Sequence, residues 1–356
     1  MKRVTFQSLL RLLLRLASAL TVTLALLSAN IQTLSAEGNN PSEFQRPGQL
    51  VDIGTHRLHI YCLGSGKPTV IMDAGLGGLS LEWLPIQAAL AEHVKTCVYD
   101  RAGYGWSEPG PFPRTSSRIA DELFVLLNEA QIEGPYVLVG HSFGGYNMQL
   151  FASRYQYATA GLVLVDSSHA EQIERFKKPP INMKLAPTIK GKYVITKFSK
   201  PEVQPMMQEE LKGVAAELMN SIAMRRAMAN EFLYFSQSAA EVQIEGELPD
   251  IPLFVLTRGM RVWPEDQRGD MAEQLWLELQ SDLAFNGPRH IHMLAEYSGH
   301  HVHLDQPQLV IDAITEVVMV ARPRIVPHVK VAKFKGLKNM ANPAFEYAVT
   351  YSYTFN

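Results

Sequence analysis

The sequence predicts an α/β domain, a mostly parallel sheet with helices on both faces, broken once by a helical insertion. Two observations carry this. Short apolar runs alternate with amphipathic stretches from residue 69 to 165, and the alternation resumes at residue 251. Strands and helices spaced in this way form parallel sheets buried on both sides. Between the two blocks, residues 167–249 turn helical, Met-rich and charged, with Met206-Met207, Leu218-Met219, Met224 and Met228. Flexible thioethers adapt to varied apolar ligands, so a lid is the expected role of this insertion.

Taken in order, the elements begin with a hairpin over residues 50–63, where Leu50 to Ile53 and Leu58 to Cys62 flank a Gly54-Thr55 turn. Thr69 to Met72 reads as a strand followed by a helix through Trp83, Ile86, Ala89 and Leu90. Thr96 to Tyr99 leads to a helix through Ile119, Leu123 and Leu126-Leu127. Tyr136 to Val139 leads into a helix over Tyr146 to Arg154, and Leu162 to Val165 closes the first block. The second block comprises a strand over Ile251 to Leu256, a helix around Met271 to Leu283, a strand over His290 to Leu294 and a helix from Pro307 to Val320. The core thus covers 49–166 and 250–321.

The ends of the chain read differently. Lys2, Arg3, Arg11 and Arg15 precede an uncharged run from Leu16 to Ala36, the layout of a secretory signal. Bulky Leu27 and Leu34 stand where a cleavage site wants a small residue, so 1–36 is expected as a signal peptide or an N-terminal membrane anchor, followed by a linker over 37–48. The chain is expected to be exported, and an uncleaved leader would tie it to a membrane. Residues 322–356 form an extension with six basic and no acidic residues between Arg322 and Lys338, then strict alternation through Phe345, Tyr347, Val349, Tyr351, Tyr353 and Phe355. That alternation reads as one strand, and no function is assigned to it.

A chain of 356 residues that is 47% hydrophobic can fill a large core. Its formal charge of -2, from 33 basic and 35 acidic residues, does not point to a nucleic-acid partner. Two cysteines, Cys62 and Cys97, are too few for a multi-disulfide scaffold or a cysteine-based zinc site.

The chemistry is concentrated at Gly140-His141-Ser142-Phe143-Gly144, a G-x-S-x-G match that directly follows a strand and opens a helix. A serine on such a strained turn needs glycines beside it, where any side chain would meet neighbouring backbone. The free hydroxyl is a poor nucleophile, so it needs an imidazole base and a carboxylate to hold that base. Of eleven histidines, His300 has the right place, after the strand His290 to Leu294 and before the last helix. His301 and His303 are expected to face solvent or polar neighbours, and His141, His290 and His292 to be structural. For the carboxylate, Asp166 ends the run Leu162 to Val165, and Ser167 and Ser168 could hydrogen-bond it; Glu265 and Asp266 are the alternatives after Leu256. Two N–H donors for an oxyanion, worth about 2.7–4 kcal/mol each, are expected from Phe143 and from Leu76 in the loop Asp73-Ala74-Gly75-Leu76-Gly77-Gly78.

With Ala74-Gly75-Leu76-Gly77-Gly78, Trp83, Tyr99-Asp100-Arg101-Ala102-Gly103-Tyr104-Gly105-Trp106-Ser107, Gly140 to Gly145 and Gly299-His300, the chain resembles the α/β-hydrolase superfamily over residues 50–321. The resemblance implies an eight-stranded sheet, a Ser-His-Asp triad and no cofactor, with Asp100-Arg101 opening a structural loop; no metal is expected, since no carboxylate or cysteine set shares the spacing of the histidine cluster. It departs from the commonest pattern in having Ala74 before the glycine and no acid directly after the seventh strand. A serine hydrolase of a small, apolar ester or related acyl substrate is expected. Acyl transfer, perhydrolysis and C–C bond hydrolysis use the same residues, and a non-catalytic binding protein on this fold is the remaining alternative. The strand order of that superfamily sets the second strand beside the fourth. A Cys62–Cys97 disulfide is therefore expected if the register aims both sulfurs at one face.

Overall fold

The computed structural model describes residues 46–177, 193–194, 209–245, 247–284 and 289–322. The leader, most of the linker, part of the insertion and the alternating C-terminal run lie outside these. Strands β1 (Gln49–Asp52), β2 (Arg57–Leu63), β3 (Thr69–Asp73), β4 (Thr96–Tyr99), β5 (Tyr136–His141), β6 (Thr159–Val165), β7 (Tyr193–Val194), β8 (Leu253–Arg258) and β9 (His290–Ala295) form one sheet in the order β1-β2-β4-β3-β5-β6-β8-β9-β7. Only β1–β2 and β2–β4 pair antiparallel. The two-residue β7, from the stretch between β6 and β8, adds a short edge to the eight strands expected from the sequence.

Helices α1 (Leu84–Ala91), α2 (Ser116–Glu129), α3 (Phe143–Arg154), α8 (Gln267–Ala284), α9 (Val302–Asp305) and α10 (Pro307–Ala321) belong to the two core blocks, and α4 (Gln172–Lys177), α5 (Glu209–Asn220), α6 (Ile222–Leu233) and α7 (Phe235–Glu245) to the insertion. The central strands bury both faces, which explains their unbroken apolar runs. Val70 and Met72, Val137 and Val139, Val163 and Val165 face one core with Ile86 and Leu90 of α1 and Ile314 and Val317 of α10. The residues between them, Ile71, Leu138, Leu162 and Leu164, face the other with Ile119, Leu123 and Leu127 of α2 and Phe151 of α3. Each fully buried side chain of this kind is worth about 1.5–3 kcal/mol over its exposed state. Helix α2 is amphipathic to match, burying residues at spacings of three and four, and Thr115 caps it by accepting the Arg118 amide, whereas α3 is buried on nearly all sides.

Cys62 stands directly opposite Cys97 in the antiparallel β2–β4 register, and the two are bonded, with Cα atoms 4.1 Å apart. Among the described residues no helix is long and apolar enough to cross a membrane.

Candidate active site

Adjacent parallel strands deliver the candidate residues to one edge of the sheet, the carboxyl ends where ligands bind in open α/β folds. Ser142 directly follows β5, and Asp166 directly follows β6. His300 lies between β9 and α9. Backbone bonds fix two of these positions: the Ser142 amide donates to Val165 O (3.2 Å) and the Asp166 amide to Leu256 O (2.7 Å). Both residues have positive φ, 50° at Ser142 and 40° at Asp166, a conformation that non-glycine residues avoid and that marks strain held by the surrounding structure. The turn at Ser142 is tight enough that a Cβ on Gly140 would lie 2.6 Å from Gly144 O, and one on Gly144 2.6 Å from Ala74 O.

His300 Nδ1 lies 2.6 Å from Asp166 Oδ2, and His300 Nε2 lies 3.0 Å from Ser142 Oγ. Because a carboxylate only accepts, Nδ1 carries the hydrogen and Nε2 is left to accept the Ser142 hydroxyl. The expectation that Ser167 and Ser168 would hold the carboxylate is corrected. Ser167 Oγ donates instead to Ser168 O. Asp166 Oδ1 accepts from Trp276 Nε1 (2.8 Å) and from the Arg258 amide (3.1 Å), while Arg258 Nη1 reaches Oδ2 at 3.2 Å. Asp166 is fully buried. Of the alternative acids, Asp266 accepts the Gly269 amide at the start of α8, and Glu265 is exposed.

His141, His301 and His303 lie close to His300, and His292 lies further down the sheet on β9. His141 Nε2 donates to the His300 carbonyl at 2.9 Å and thereby holds the backbone of that residue. Burial pushes the His141 pKa well below the ordinary imidazole value, and the neighbouring His303, His300 and His301 act in the same direction, so its ring is neutral. His303 is buried, stacked on Trp83 with Nε2 3.4 Å from Glu82 Oε2, whereas His301 is exposed. His292 is buried on β9, 2.7 Å from Thr257 Oγ1, and burial lowers its pKa to about 4. None of these side chains joins the Ser142–His300–Asp166 line.

A sequence model of the alpha/beta hydrolase family matches residues 70–313. The chain belongs to that family. A relative from Bacillus subtilis, the uncharacterized protein YqjL, is 27% identical over 264 residues, which is 74% of this chain and 88% of the relative. An AB hydrolase superfamily protein of Gibberella zeae is 22% identical over 72% of this chain and 88% of its own. Among solved structures, a thermophilic esterase from Thermogutta terrifontis shares the fold with a TM-score of 0.53 at 22% identity, over 77% of this chain and all (100%) of that one. A serine hydrolase of carbazole degradation does so with a TM-score of 0.52 at 16% identity, over 76% and 98%. Within this alpha/beta hydrolase, two groups beside Asp166 are hard to find from the sequence. Arg258 stands at the end of β8, where the commonest pattern of the family has an acid, and that departure is the available signal. Trp276 lies mid-helix in α8, where nothing local marks it.

The loop after β3 approaches the same serine, since a Cβ on Gly75 would lie 3.2 Å from Ser142 Cβ. Arg101 clasps this loop from beneath, donating through Nη1 to Ala74 O (2.7 Å) and Asp73 Oδ1 (2.7 Å) and through Nη2 to Gly75 O (2.9 Å). Burial opposes the Arg101 charge, but Glu231 and Asp73 outweigh it and hold its pKa well above the ordinary value. Among the described residues no cluster of histidine, cysteine and carboxylate side chains is arranged to hold a metal ion.

Proposed function

We propose that the protein is a serine hydrolase of esters or related acyl bonds, with Ser142 as nucleophile, His300 as general base and acid, and Asp166 as the group that orients and stabilises the imidazolium. The observation that carries this reading is the continuous line from Ser142 Oγ through His300 to the buried Asp166, at 3.0 and 2.6 Å. Ser142 Oγ attacks the carbonyl carbon while His300 Nε2 takes its proton, and the tetrahedral oxyanion forms. Collapse of that intermediate expels the alcohol, which leaves with the proton from His300. Water then attacks the acyl-enzyme by the same route and regenerates Ser142.

The oxyanion is assigned to the amides of Phe143, at the N-terminus of α3, and Leu76. The helix dipole adds positive potential at the first of these. The insertion is assigned as a lid, supported by Met228 of α6, whose Sδ lies 3.1 Å from where a Cβ of Gly77 would stand. The leader and the Cys62–Cys97 pair together support export, since disulfides persist in oxidising compartments. A binding protein without catalysis is disfavoured, because it gains nothing from straining Ser142 to a φ of 50°.

Labelling by a fluorophosphonate probe, followed by peptide mapping, tests the reading. Modification of Ser142 together with hydrolysis of p-nitrophenyl esters is expected, and a graded series of acyl chain lengths reports the acyl class. Absence of both from the folded protein would sink the assignment.

A further inference from the structure

One carboxylate of the insertion reaches the loop after β3 through two anchors. Glu231, on α6, is fully buried. Its Oε1 accepts from Arg101 Nε at 2.9 Å, and its Oε2 from Arg101 Nη2 at 3.0 Å and from the Tyr104 hydroxyl at 2.6 Å. On its far side Arg101 holds Asp73, Ala74 and Gly75, while the Tyr104 oxygen accepts the Gly77 amide at 3.4 Å. Asp73 is tied in turn to α3, its Oδ2 accepting Asn147 Nδ2 at 2.7 Å. Every residue from 73 to 77 except Leu76 is therefore gripped by groups that end on Glu231.

Leu76 is controlled indirectly. The peptide between Gly75 and Leu76 is planar, so the Gly75 carbonyl and the Leu76 N–H point in opposite directions. Arg101 Nη2 and the Gly78 amide (3.1 Å) both take the Gly75 oxygen and hold it on the Arg101 side. The Leu76 N–H therefore points away from Arg101, and Gly75 itself stands close to His141 and Ser142, a Cβ on it lying 2.8 Å from His141 Nδ1 and 3.2 Å from Ser142 Cβ. A flip of this peptide would bring a carbonyl oxygen toward a developing oxyanion and withdraw its donor.

We infer that Glu231 is a positioning residue, which through Arg101 and Tyr104 keeps the Leu76 amide turned toward Ser142, so that the oxyanion site is complete only while the insertion is seated. This rests on the serine-hydrolase reading above. Neither anchor is strong alone. Arg101 without Glu231 is shared between Asp73 and two carbonyls, and the Tyr104 hydroxyl loses its acceptor. The fixed fork of the guanidinium, which a lysine lacks, lets one side chain grip a carboxylate on one edge and the loop on the other.

The test compares the full-length wild-type protein with Glu231→Gln and Tyr104→Phe. Glutamine keeps the size of Glu231 but turns one donor toward donors, breaking part of the grip; Tyr104→Phe removes the second anchor alone. Complete loss of an oxyanion donor costs about 10²–10³ in kcat, so Glu231→Gln should lose roughly tenfold to a hundredfold and Tyr104→Phe less. KM for a p-nitrophenyl ester should stay within about twofold. Inhibition by a boronic acid, whose tetrahedral adduct mimics the oxyanion, should weaken by the same factor as kcat, a readout that loss of folded protein would not produce. An unchanged kcat in both folded variants, a change confined to KM, or a fall in kcat with full boronic acid affinity would each overturn the inference while leaving the triad reading intact. If Glu231→Gln does not fold, Tyr104→Phe decides alone. A wild-type protein that fluorophosphonate leaves unlabelled removes the reading itself, and the inference with it.

Discussion

Arg258 Nη1 lies 3.2 Å from Asp166 Oδ2, the same oxygen that holds His300 Nδ1. Its Nη2 reaches Glu273 Oε2 at 3.0 Å, and the guanidinium carbon lies 4.6 Å from the centre of the Trp263 ring and 4.9 Å from that of Trp276. Removing one charged partner of a buried pair costs about 3–5 kcal/mol where the other is left without compensation, an upper bound here because Asp166 retains other donors. Arg258→Met should therefore lower stability by at most that amount. Asp166 keeps the Trp276 and backbone donors, so turnover in the folded fraction should fall far less than in Asp166→Asn, where a wrong tautomer at His300 costs about 10⁴-fold. Urea unfolding and active-site-titrated kcat separate the two effects. An Arg258→Met protein as inactive as Asp166→Asn contradicts the expectation.

On the proposed mechanism, Ser142→Ala and His300→Ala should each remove nearly all esterase activity without loss of fold, because members of a catalytic triad act as a unit and single removals cost about as much as multiple ones. His301→Ala serves as the internal comparison, being exposed and outside the Ser142–His300–Asp166 line. It should retain activity. Circular dichroism and p-nitrophenyl acetate hydrolysis check all three, and the base assignment fails if His301→Ala is the inactive variant.

A methyl group at residue 144 would meet two backbone carbonyls, Ala74 O at 2.6 Å and Asp73 O at 2.7 Å. Neither can move without shifting the loop that faces Ser142. Gly144→Ala should thus cost about 1–3 kcal/mol of overpacking, with kcat falling as the loop moves. Wild-type stability in this variant, measured by thermal melting, would show that the elbow is looser than the distances indicate.

Reducing the Cys62–Cys97 bond releases a loop closed over a sequence separation of 35. In the chain-entropy account such a loop contributes roughly 3–4 kcal/mol. The Cys62→Ser, Cys97→Ser double variant should unfold at correspondingly lower denaturant, and dithiothreitol should lower the melting temperature of the wild type but not of the variant. Alkylation of both thiols in the unfolded, unreduced wild type would contradict the pairing.

His292 gives the fold a defined acid sensitivity. Its folded pKa, about 4, lies below the ordinary value of 6.5, so the unfolded chain takes up a proton first as the pH falls. Stability is complete above about pH 6.5 and declines down to about pH 4, where the native state also protonates. Between pH 7.5 and 5 the loss from this one residue is about 2 kcal/mol. His292→Gln, which can still bond Thr257 without titrating, should show a shallower decline in urea denaturation over that range. Equal slopes would assign the acid sensitivity elsewhere.

The strand–helix alternation, the glycine-flanked serine between β5 and α3, and the place of His300 after β9 are legible in the amino-acid order alone. These are local facts: a run of buried β-branched residues, a turn that admits no side chain and a position in chain order are written in consecutive residues. The sequence favours Asp166 as the carboxylate over Glu265 and Asp266 without showing what surrounds any of them. That His300 Nδ1 meets Asp166, that Trp276 and Arg258 rather than Ser167 and Ser168 hold that carboxylate, and that Glu231 reaches Arg101 becomes visible in the folded chain alone. The reason is distance along the chain. Asp166 and Trp276 are 110 positions apart, and Arg101 and Glu231 are 130. No periodicity or motif encodes a pairing that exists only once strands and helices have packed. A buried charge does demand a partner, but that demand tells which kind of residue must arrive and not which one.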